Sequence, residues 1–429
     1  MTDVNPARPP SEERPLLLVI GTGSRRYREY LLHSISTRYD VHLFVASDPS
    51  WERAYASGWT VLASTLDAPA MCAAARNLAA TQQVHGVLCW DEARILQSSY
   101  VAEALALPGG DPHMILRCRD KHLTRMALDA AGVPQPQSVL TASVDDALAA
   151  AEGIGYPVVL KPRALAASLG VVKVETPGEL VTQFGFARDT TVPEAPHYDV
   201  CVLVEEFADG PEISVDCAVS GGEVSPLFVA RKELGYAPYF EEVGHTVSAG
   251  DPLRTDPQIV GILRDTHAAL AFTDGMTHVE LKLTSTGPKV IEVNGRLGGD
   301  MIPYLGLRAT GIDPGLAAAA VACGRVPEVD PDRALAGGVR FFYVEEDDTV
   351  LGAVRFDGGA LHPAIDLALA LASPGDTASP PPKGTVSGRI ALATAVAATV
   401  EECRAALGSA EAALRIGTDQ PAVAAGAQP

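Results

Sequence analysis

Two alternating segments separated by a short turn constrain the fold of this chain most. Residues 277–283 and 289–293 each alternate apolar with polar side chains. Period-two alternation on both sides of a turn predicts an antiparallel β-hairpin whose polar side chains share a face. On that basis the two strands present the following polar residues: His278, Glu280 and Lys282 on the first, Glu292 and Asn294 on the second.

This polar face has the composition of a divalent-cation site. Two carboxylates and an amide oxygen on adjacent strands are the hard oxygen ligands that Mg²⁺ prefers. The alternative is a surface of salt-bridged polar pairs, but Glu280 and Glu292 would repel each other there without a cation. Arg296 follows the second strand, and its guanidinium can hold a carboxylate or a transferred phosphoryl group.

Lysine is scarce, which gives weight to two lysines at motif positions. Only seven of the 33 cationic residues are lysines. Lys161 ends the apolar strand predicted over 157–160 and precedes a loop of small residues at 166–170, an arrangement suited to phosphate oxygens. Lys121 begins a helix predicted over 120–131 with Asp120 as its cap. The alternative for Lys161 is a surface lysine with a buried stem.

Paired acids follow another predicted strand. Residues 201–204 are apolar and lead into Glu205, Glu206 and Phe207, while Glu212 follows a Gly-Pro turn and opens an alternating segment over 212–219. Such carboxylates can accept hydrogen bonds from ribose hydroxyls, and the exposed backbone can pair with an adenine edge. A solvated turn is the alternative.

The flanking regions predict further lobes. Apolar runs at 16–20, 41–46 and 86–90, with helical stretches between them, predict an open α/β domain over 15–112. The loop Gly21-Thr22-Gly23 lacks the third glycine of a dinucleotide fingerprint, because Arg26 stands there. A tight turn or a substrate-contacting loop fits it better. Strands are predicted at 338–344 and 350–356 and a helix at 401–416, and the ends 1–14 and 417–429 are expected to be disordered.

Composition narrows the functional class. The net charge of −20 disfavours a nucleic-acid surface. No secretory apolar core or membrane-length apolar run occurs. The seven cysteines form no CxxC pair, so we expect a cytoplasmic protein without a disulfide framework or zinc site.

In this order, the motifs resemble those of the ATP-grasp superfamily, and most closely those of its L-amino-acid ligases. The resemblance runs from about residue 119 to 324 and implies an ATP-grasp domain over 113–330. Within it, a lid would span about 125–205, and a C-terminal lobe would follow over 331–416. The implied fold class is α/β with α+β lobes, and the implied activity is ATP-dependent joining of a small-molecule carboxylate to an amine.

The resemblance also implies residue roles. ATP would be held by Lys121, Lys161, Ser168, Leu169, Gly170, Glu205, Glu206, Phe207 and Glu212. The metal, Mg²⁺ or alternatively Mn²⁺, would be held by Glu280, Glu292 and Asn294. The substrate would meet Arg296, Gly298, Gly299, Asp300 and His278, with Arg296, His245 and Glu242 as the catalytic residues. A homodimer is common among such enzymes.

One departure and two rival functions remain open at this stage. Some dipeptide ligases place a bulky aromatic residue where this chain has Asp300, so a hypothesis is that Asp300 meets a cationic substrate group. One rival is a biotin-carboxylase-like or purine-pathway enzyme that activates bicarbonate or formate. The other is a non-catalytic nucleotide-binding regulator, which the retention of Glu280, Glu292, Asn294 and Arg296 disfavours.

Overall fold

The structure is a computed structural model that describes residues 14–192 and 198–418. The ends predicted to be disordered lie outside the described residues, apart from positions 14, 417 and 418. Within the described residues the α-helices are α1 Arg25–Arg38, α2 Ala68–Ala79, α3 Ile95–Ala104, α4 Pro112–Arg119, α5 Lys121–Ala130, α6 Val144–Ile154, α7 Pro177–Asp189, α8 Pro257–Ala269, α9 Ile302–Thr310, α10 Pro314–Ala322 and α11 Val400–Ala413.

The strands form four sheets. In chain order they are β1 Leu16–Ile20, β2 Asp40–Val45, β3 Gly58–Val61, β4 Val84–Leu88, β5 Ser138–Thr141, β6 Val158–Pro162, β7 Val172–Val174, β8 Val202–Glu206, β9 Glu212–Ser220, β10 Glu223–Gly235, β11 Glu241–Ser248, β12 Gly275–Thr284, β13 Gly287–Asn294, β14 Ala336–Phe342, β15 Thr349–Phe356, β16 Ile365–Ala370, β17 Thr377–Ala378, β18 Ala391–Ala397 and β19 Leu414–Thr418. Short 3₁₀ turns lie at Trp51–Ala54, Pro252–Arg254, Gly358–Ala360 and Val386–Gly388.

A parallel sheet in the order β3-β2-β1-β4 forms the N-terminal part of the chain. Its central strand β1 is wholly apolar and buried on both faces, as in parallel sheets covered by helices. The carboxyl ends of β1 and β4 lie side by side, so the Gly21–Gly23 loop and Glu92 meet at one edge of the sheet. Ligands of open α/β sheets bind at such an edge.

A smaller antiparallel sheet, β5-β8-β6-β7, lies in the segment predicted as a lid. Helices α6 and α7 pack on it around a core that includes Leu160, Phe184 and Val204. Strands β6 and β8 pair with Val159 opposite Glu205 and Lys161 opposite Leu203. The two motif residues Lys161 and Glu205 therefore lie two residue pairs apart in this ladder, on the same face of the sheet.

The predicted hairpin is confirmed at the edge of an eight-stranded sheet in the order β13-β12-β9-β10-β11-β14-β18-β16. Strands β12 and β13 pair with Glu280 opposite Glu292 and His278 opposite Asn294. The last three strands of this sheet come from the predicted C-terminal lobe, so that segment continues the central sheet. A three-stranded sheet, β17-β15-β19, completes the structure.

One secondary-structure prediction is wrong at its end. Helix α11 stops at Ala413, whereas the sequence predicts a helix to 416, because Leu414 begins strand β19 and pairs with Phe356 of β15. Cross-strand pairing thus overrides local helical spacing. Among the described residues, the structure contains no helix that is both long enough and apolar enough to cross a bilayer.

Candidate active site

A cavity of about 730 Å³ lies between the small antiparallel sheet and the hairpin end of the large sheet. It collects residues that are distant in sequence but were predicted to act together. Those lining it are Lys121, Lys161, Ser168, Glu205, Glu206, Phe207, Glu212, Glu242, Glu280 and Glu292. Leu169 and Gly170 belong to the adjoining loop and do not line the cavity wall.

At one end of the cavity, Glu205 forms a buried ionic cluster. Its carboxylate lies 2.5 Å from Lys161 Nζ and accepts two hydrogen bonds from Arg125, at 2.7 and 3.0 Å. Burial alone would raise the pKa of Glu205, but the charges of Arg125 and Lys161 outweigh it and lower this pKa to about 2. Glu205 therefore fixes Lys161 in place, and its carboxylate is already paired. Arg125 is a residue that the sequence analysis missed.

The loop after Lys161 is held in an uncommon backbone conformation. Ala167 and Ser168 have φ of 57° and 54°, in the left-handed region that few residues other than glycine adopt. Gly170 also has a positive φ, and a Cβ there would lie 2.6 Å from Pro162 Cγ. Strained backbone of this kind clusters at ligand-binding segments. Lys121 Nζ donates to the Leu165 carbonyl and so ties the loop to the cavity.

The paired carboxylates lie on the opposite wall. Lys121 Nζ is 3.3 Å from Glu292 Oε1, and the two glutamates keep 17% and 18% of their side-chain surface exposed. Burial would raise the pKa of Glu280, but Lys232 and His278 hold it well below its ordinary value. Carboxylate oxygens on paired residues of a hairpin that line a cavity fit a hard divalent cation.

Lys232 on β10 was missed as a site residue. Its ammonium lies 3.0 Å from Glu212, 2.6 Å from Glu242 and 2.8 Å from Glu280, and its side chain has no exposed surface. Burial would lower the pKa of Lys232, but the three carboxylates raise it well above its ordinary value. The scarcity of lysine is a signal that could have pointed to Lys232. Its three partners lie on other strands, so the local sequence does not reveal them.

Asp216 on β9 was also missed, and it organises the turn after the hairpin. Its carboxylate accepts a 2.5 Å hydrogen bond from His278 Nδ1 and another from the Gly298 amide at 3.1 Å. Burial opposes protonation of His278, but Asp216 and Glu280 raise its pKa to about 9. A Cβ at Gly298 would lie 2.7 Å from His278 Nδ1, whereas one at Gly299 would meet nothing within 4 Å. Gly299 therefore leaves open space.

Arg296 connects the hairpin to the N-terminal sheet. Its Nε donates to Glu92 Oε2 at 2.6 Å, and Arg119 lies 3.5 Å from the same carboxylate. Burial would lower the pKa of Arg296, but Glu92 raises it. Arg296 lines a separate cavity of about 640 Å³ beside Trp90. The sequence analysis missed Glu92, which comes from the edge where ligands of open α/β sheets bind.

A second polar cluster surrounds His245. Its Nε2 lies 3.3 Å from Glu242 and 3.5 Å from Asp300. Burial would lower the pKa of His245, but the two carboxylates raise it. Asp300 has a φ of 48° and makes an ion pair with Arg389 of the C-terminal segment, 2.6 Å away. The negative charge that was expected to face a substrate cation is therefore already matched by Arg389.

Comparison with known proteins identifies the fold to which these residues belong. Residues 154–304 match the family model described as the ATP-grasp domain. This segment of the chain is therefore similar to an ATP-grasp domain. The crystal structure of L-amino acid ligase from Bacillus licheniformis superposes on this chain with a TM-score of 0.78 and 22% identity, covering 96% of this chain and 100% of that one. The predicted ATP-grasp fold, in the mixed α/β class, is thereby confirmed.

Curated relatives of this chain include a synthase and a ligase. Human carnosine synthase 1 is 30% identical over 263 residues, which are 58% of this chain and 32% of that protein. Alanine–anticapsin ligase of Bacillus subtilis strain 168 is 27% identical over 235 residues, which are 50% of this chain and 49% of that protein. The chain thus spans between a third and a half of the length of these relatives.

Proposed function

We propose that this protein is an ATP-dependent carboxylate–amine ligase that forms an amide bond through an acyl phosphate and releases ADP and phosphate. The observation that carries the proposal is the placement of Glu280 and Glu292 between two sets of groups. On one side lie the lysines of the cavity, and on the other lie Arg296 and the Gly298–Gly299 turn. The same hairpin therefore lies next to the groups that would bind ATP and next to the groups that would bind the substrate carboxylate.

The residues of the cavity fit a nucleoside triphosphate with its metal ion. Lys121, Lys161 and the Ser168–Gly170 loop would neutralise and cover phosphate oxygens, while Glu206, Phe207 and Glu212 would surround the nucleoside. Glu280, Glu292 and Asn294 would hold Mg²⁺, which supplies charge neutralisation at the phosphates when bound. Mn²⁺, which shares the preference for oxygen ligands, is the alternative ion.

In the first step, an oxygen of the substrate carboxylate attacks the γ-phosphorus of ATP. The bond between that phosphorus and the bridging oxygen breaks, and ADP leaves with the electron pair. Phosphoryl transfer needs positioning and charge neutralisation more than covalent help from the protein. Lys121 and Lys161 serve this purpose on the phosphate side, and Arg296 orients the carboxylate.

In the second step, the amine attacks the acyl carbon, phosphate leaves, and the amine nitrogen loses a proton. Arg296 and the backbone amide of Gly299 stabilise the tetrahedral oxyanion, since preorganised donors act strongly in a partly buried site. His245 and Glu242 are the two candidates for accepting the proton, and they lie 3.3 Å apart. His278 supports the site indirectly. Asp216 accepts hydrogen bonds from both the His278 ring and the Gly298 amide and so holds the two groups in place.

The named relatives support this reaction class. One relative is named as a ligase of alanine and anticapsin, another is named as a synthase of carnosine, and the L-amino acid ligase has the same fold. We therefore propose an amino acid, or a similar small carboxylate, as the substrate that is activated and a small amine as its partner.

The decisive experiment measures ATP turnover with Mg²⁺ across a matrix of amino acids and amines, with products identified by mass spectrometry. The proposal expects ADP, phosphate and a product equal in mass to both substrates less one water. Turnover that requires bicarbonate would instead identify a carboxylating enzyme. ATP binding without turnover for any pair would favour a regulatory protein.

A further inference from the structure

Three carboxylates surround the Lys232 ammonium as ligands surround a metal ion. Glu212, Glu242 and Glu280 each offer an oxygen, and these oxygens lie within 4.8 Å of one another, close enough to hold one cation. They come from the separate strands β9, β11 and β12, which pack on either side of β10. We call these three residues the carboxylate cage.

Lys232 fills the cage completely. Its Nζ lies 2.6–3.0 Å from one oxygen of each carboxylate, so each of its three N–H groups has one acidic partner. The side chain has no exposed surface, so water does not complete its hydrogen bonding. Burying three carboxylates together would be very costly without a compensating cation at their centre.

The cage shares Glu280 with the proposed metal site. Glu280 Oε2 contacts Lys232, while Glu292 lies directly opposite Glu280 on the neighbouring strand. A divalent ion at this hairpin therefore has two competing positions, one beside Glu292 and Asn294 and one inside the cage. An ion inside the cage would contact Glu242, which lies 3.3 Å from His245.

We propose that the Lys232 ammonium occupies the carboxylate cage and excludes a divalent ion from it. The divalent ion is thereby directed to Glu280, Glu292 and Asn294. This proposal rests on the proposed metal site. It assigns Lys232 a positioning role. The one fixed ammonium contacts both Glu280, on the proposed nucleotide side, and Glu242, on the proposed substrate side, and so fixes the distance between these two carboxylates. The remaining neighbours of the cage are already paired, with Lys282 3.1 Å from Glu212 and His245 3.3 Å from Glu242.

The test counts Mn²⁺ ions bound to the nucleotide-free full-length protein by electron paramagnetic resonance of the unbound ion. Lys232→Met keeps the length of the apolar stem and removes the charge, so it should bind about one more Mn²⁺ per chain than the wild type, because three oxygen ligands become available. The matched control is Lys232→Arg, which keeps the charge and should bind no extra ion. An unchanged count in a folded Lys232→Met protein would overturn the proposal.

A further variant and a stability measurement cover the case in which Lys232→Met folds poorly. The proposal expects Mn²⁺ to raise the melting temperature of Lys232→Met more than that of the wild type. Adding Glu212→Gln and Glu242→Gln to Lys232→Met dismantles the cage and should abolish both the extra ion and the extra stabilisation. A Lys232→Met protein that Mn²⁺ neither binds additionally nor stabilises would contradict the proposal.

These measurements do not depend on catalytic turnover. Extra Mn²⁺ in Lys232→Met together with no ligase product from the wild type would retain this inference and refute the proposed function. A productive wild type whose Lys232→Met variant gains no ion would refute only the inference.

Discussion

The guanidinium of Arg389 donates hydrogen bonds to both carboxylate oxygens of Asp300, at 2.6 and 2.8 Å. Arg389 precedes β18 in the C-terminal segment, whereas Asp300 precedes α9, so the pair joins two distant parts of the chain beside His245. Nη2 of Arg389 also donates to the Glu242 carbonyl at 3.0 Å, and the guanidinium lies 3.8 Å from the centre of the Phe341 ring. The C-terminal segment thus contributes Arg389 and Phe341 to the polar cluster around His245.

Removal of Arg389 should destabilise the protein. The Arg389→Met variant leaves Asp300 without its cation, and breaking a buried ion pair in this way costs about 3 kcal/mol of the free energy of unfolding. Urea denaturation monitored by circular dichroism measures this loss. The matched control is Arg340→Met, because Arg340 and Glu411 are 32% and 64% exposed and form a surface pair worth about 1 kcal/mol or less. Equal losses in the two variants would refute the assigned role.

Arg296→Ala should reduce turnover far more than ATP affinity. The proposed mechanism places Arg296 at the reacting carboxylate, outside the nucleotide cavity, and loss of one oxyanion donor costs roughly 100-fold to 1,000-fold in kcat. Steady-state kinetics and ATP binding by calorimetry give the two quantities. Glu92→Gln is the control, since it removes the negative charge that lies 2.6 Å from Arg296 but keeps the guanidinium. A comparable loss of ATP affinity in Arg296→Ala would place the arginine at the nucleotide.

Glu292→Gln should raise the Mg²⁺ concentration that gives half-maximal turnover. The amide retains the size of the side chain but removes a charged oxygen ligand, and a change at a metal site of this kind costs at least about tenfold in metal affinity. Turnover is measured against Mg²⁺ concentration at saturating ATP. Glu223→Gln, at the exposed first residue of β10, should leave the curve unchanged. An unaltered Mg²⁺ requirement in Glu292→Gln would remove Glu292 from the metal site.

The sequence predicted those parts of the site that depend on local patterns. Lys161 and Glu205 each end a short apolar strand, and Glu280 and Glu292 occupy matching positions in an alternating hairpin. Local alternation fixes which face of the hairpin these acids share, because side chains on a strand alternate between faces. The hairpin register and the parallel N-terminal sheet follow from the same kind of information.

The missed residues acquire their roles through contacts between distant segments. Arg125 meets Glu205 across 80 residues, and Arg389 meets Asp300 across 89 residues. Neither arginine has a distinctive local pattern, and only the packed fold brings its partner within reach. The unexpected strand β19 has the same origin, since Leu414–Thr418 forms a strand by pairing with β15 despite its position at the end of a helical pattern.

Acid should destabilise the protein through His267, which lies in α8 away from the candidate site. The ring is buried, with Nδ1 2.6 Å from the Leu263 carbonyl and Nε2 2.7 Å from Thr277 Oγ1. Since a carbonyl oxygen only accepts, Nδ1 carries the proton and Nε2 accepts from the threonine hydroxyl. Burial lowers the pKa of His267 from its ordinary value of 6.5 to about 4, although the bond to Leu263 opposes the change.

The sign of this effect follows from proton binding. Between pH 6.5 and 4 the unfolded chain holds a proton on His267 that the folded protein lacks, so the free energy of unfolding falls as pH falls through this range. The full contribution, about 3 kcal/mol, is present above pH 6.5 and is lost by about pH 4. Urea unfolding at intervals across this range should show a shallower slope for His267→Gln than for the wild type. The exposed His113→Gln variant should keep the wild-type slope, and identical slopes in all three proteins would show that His267 is protonated alike in the folded and unfolded states.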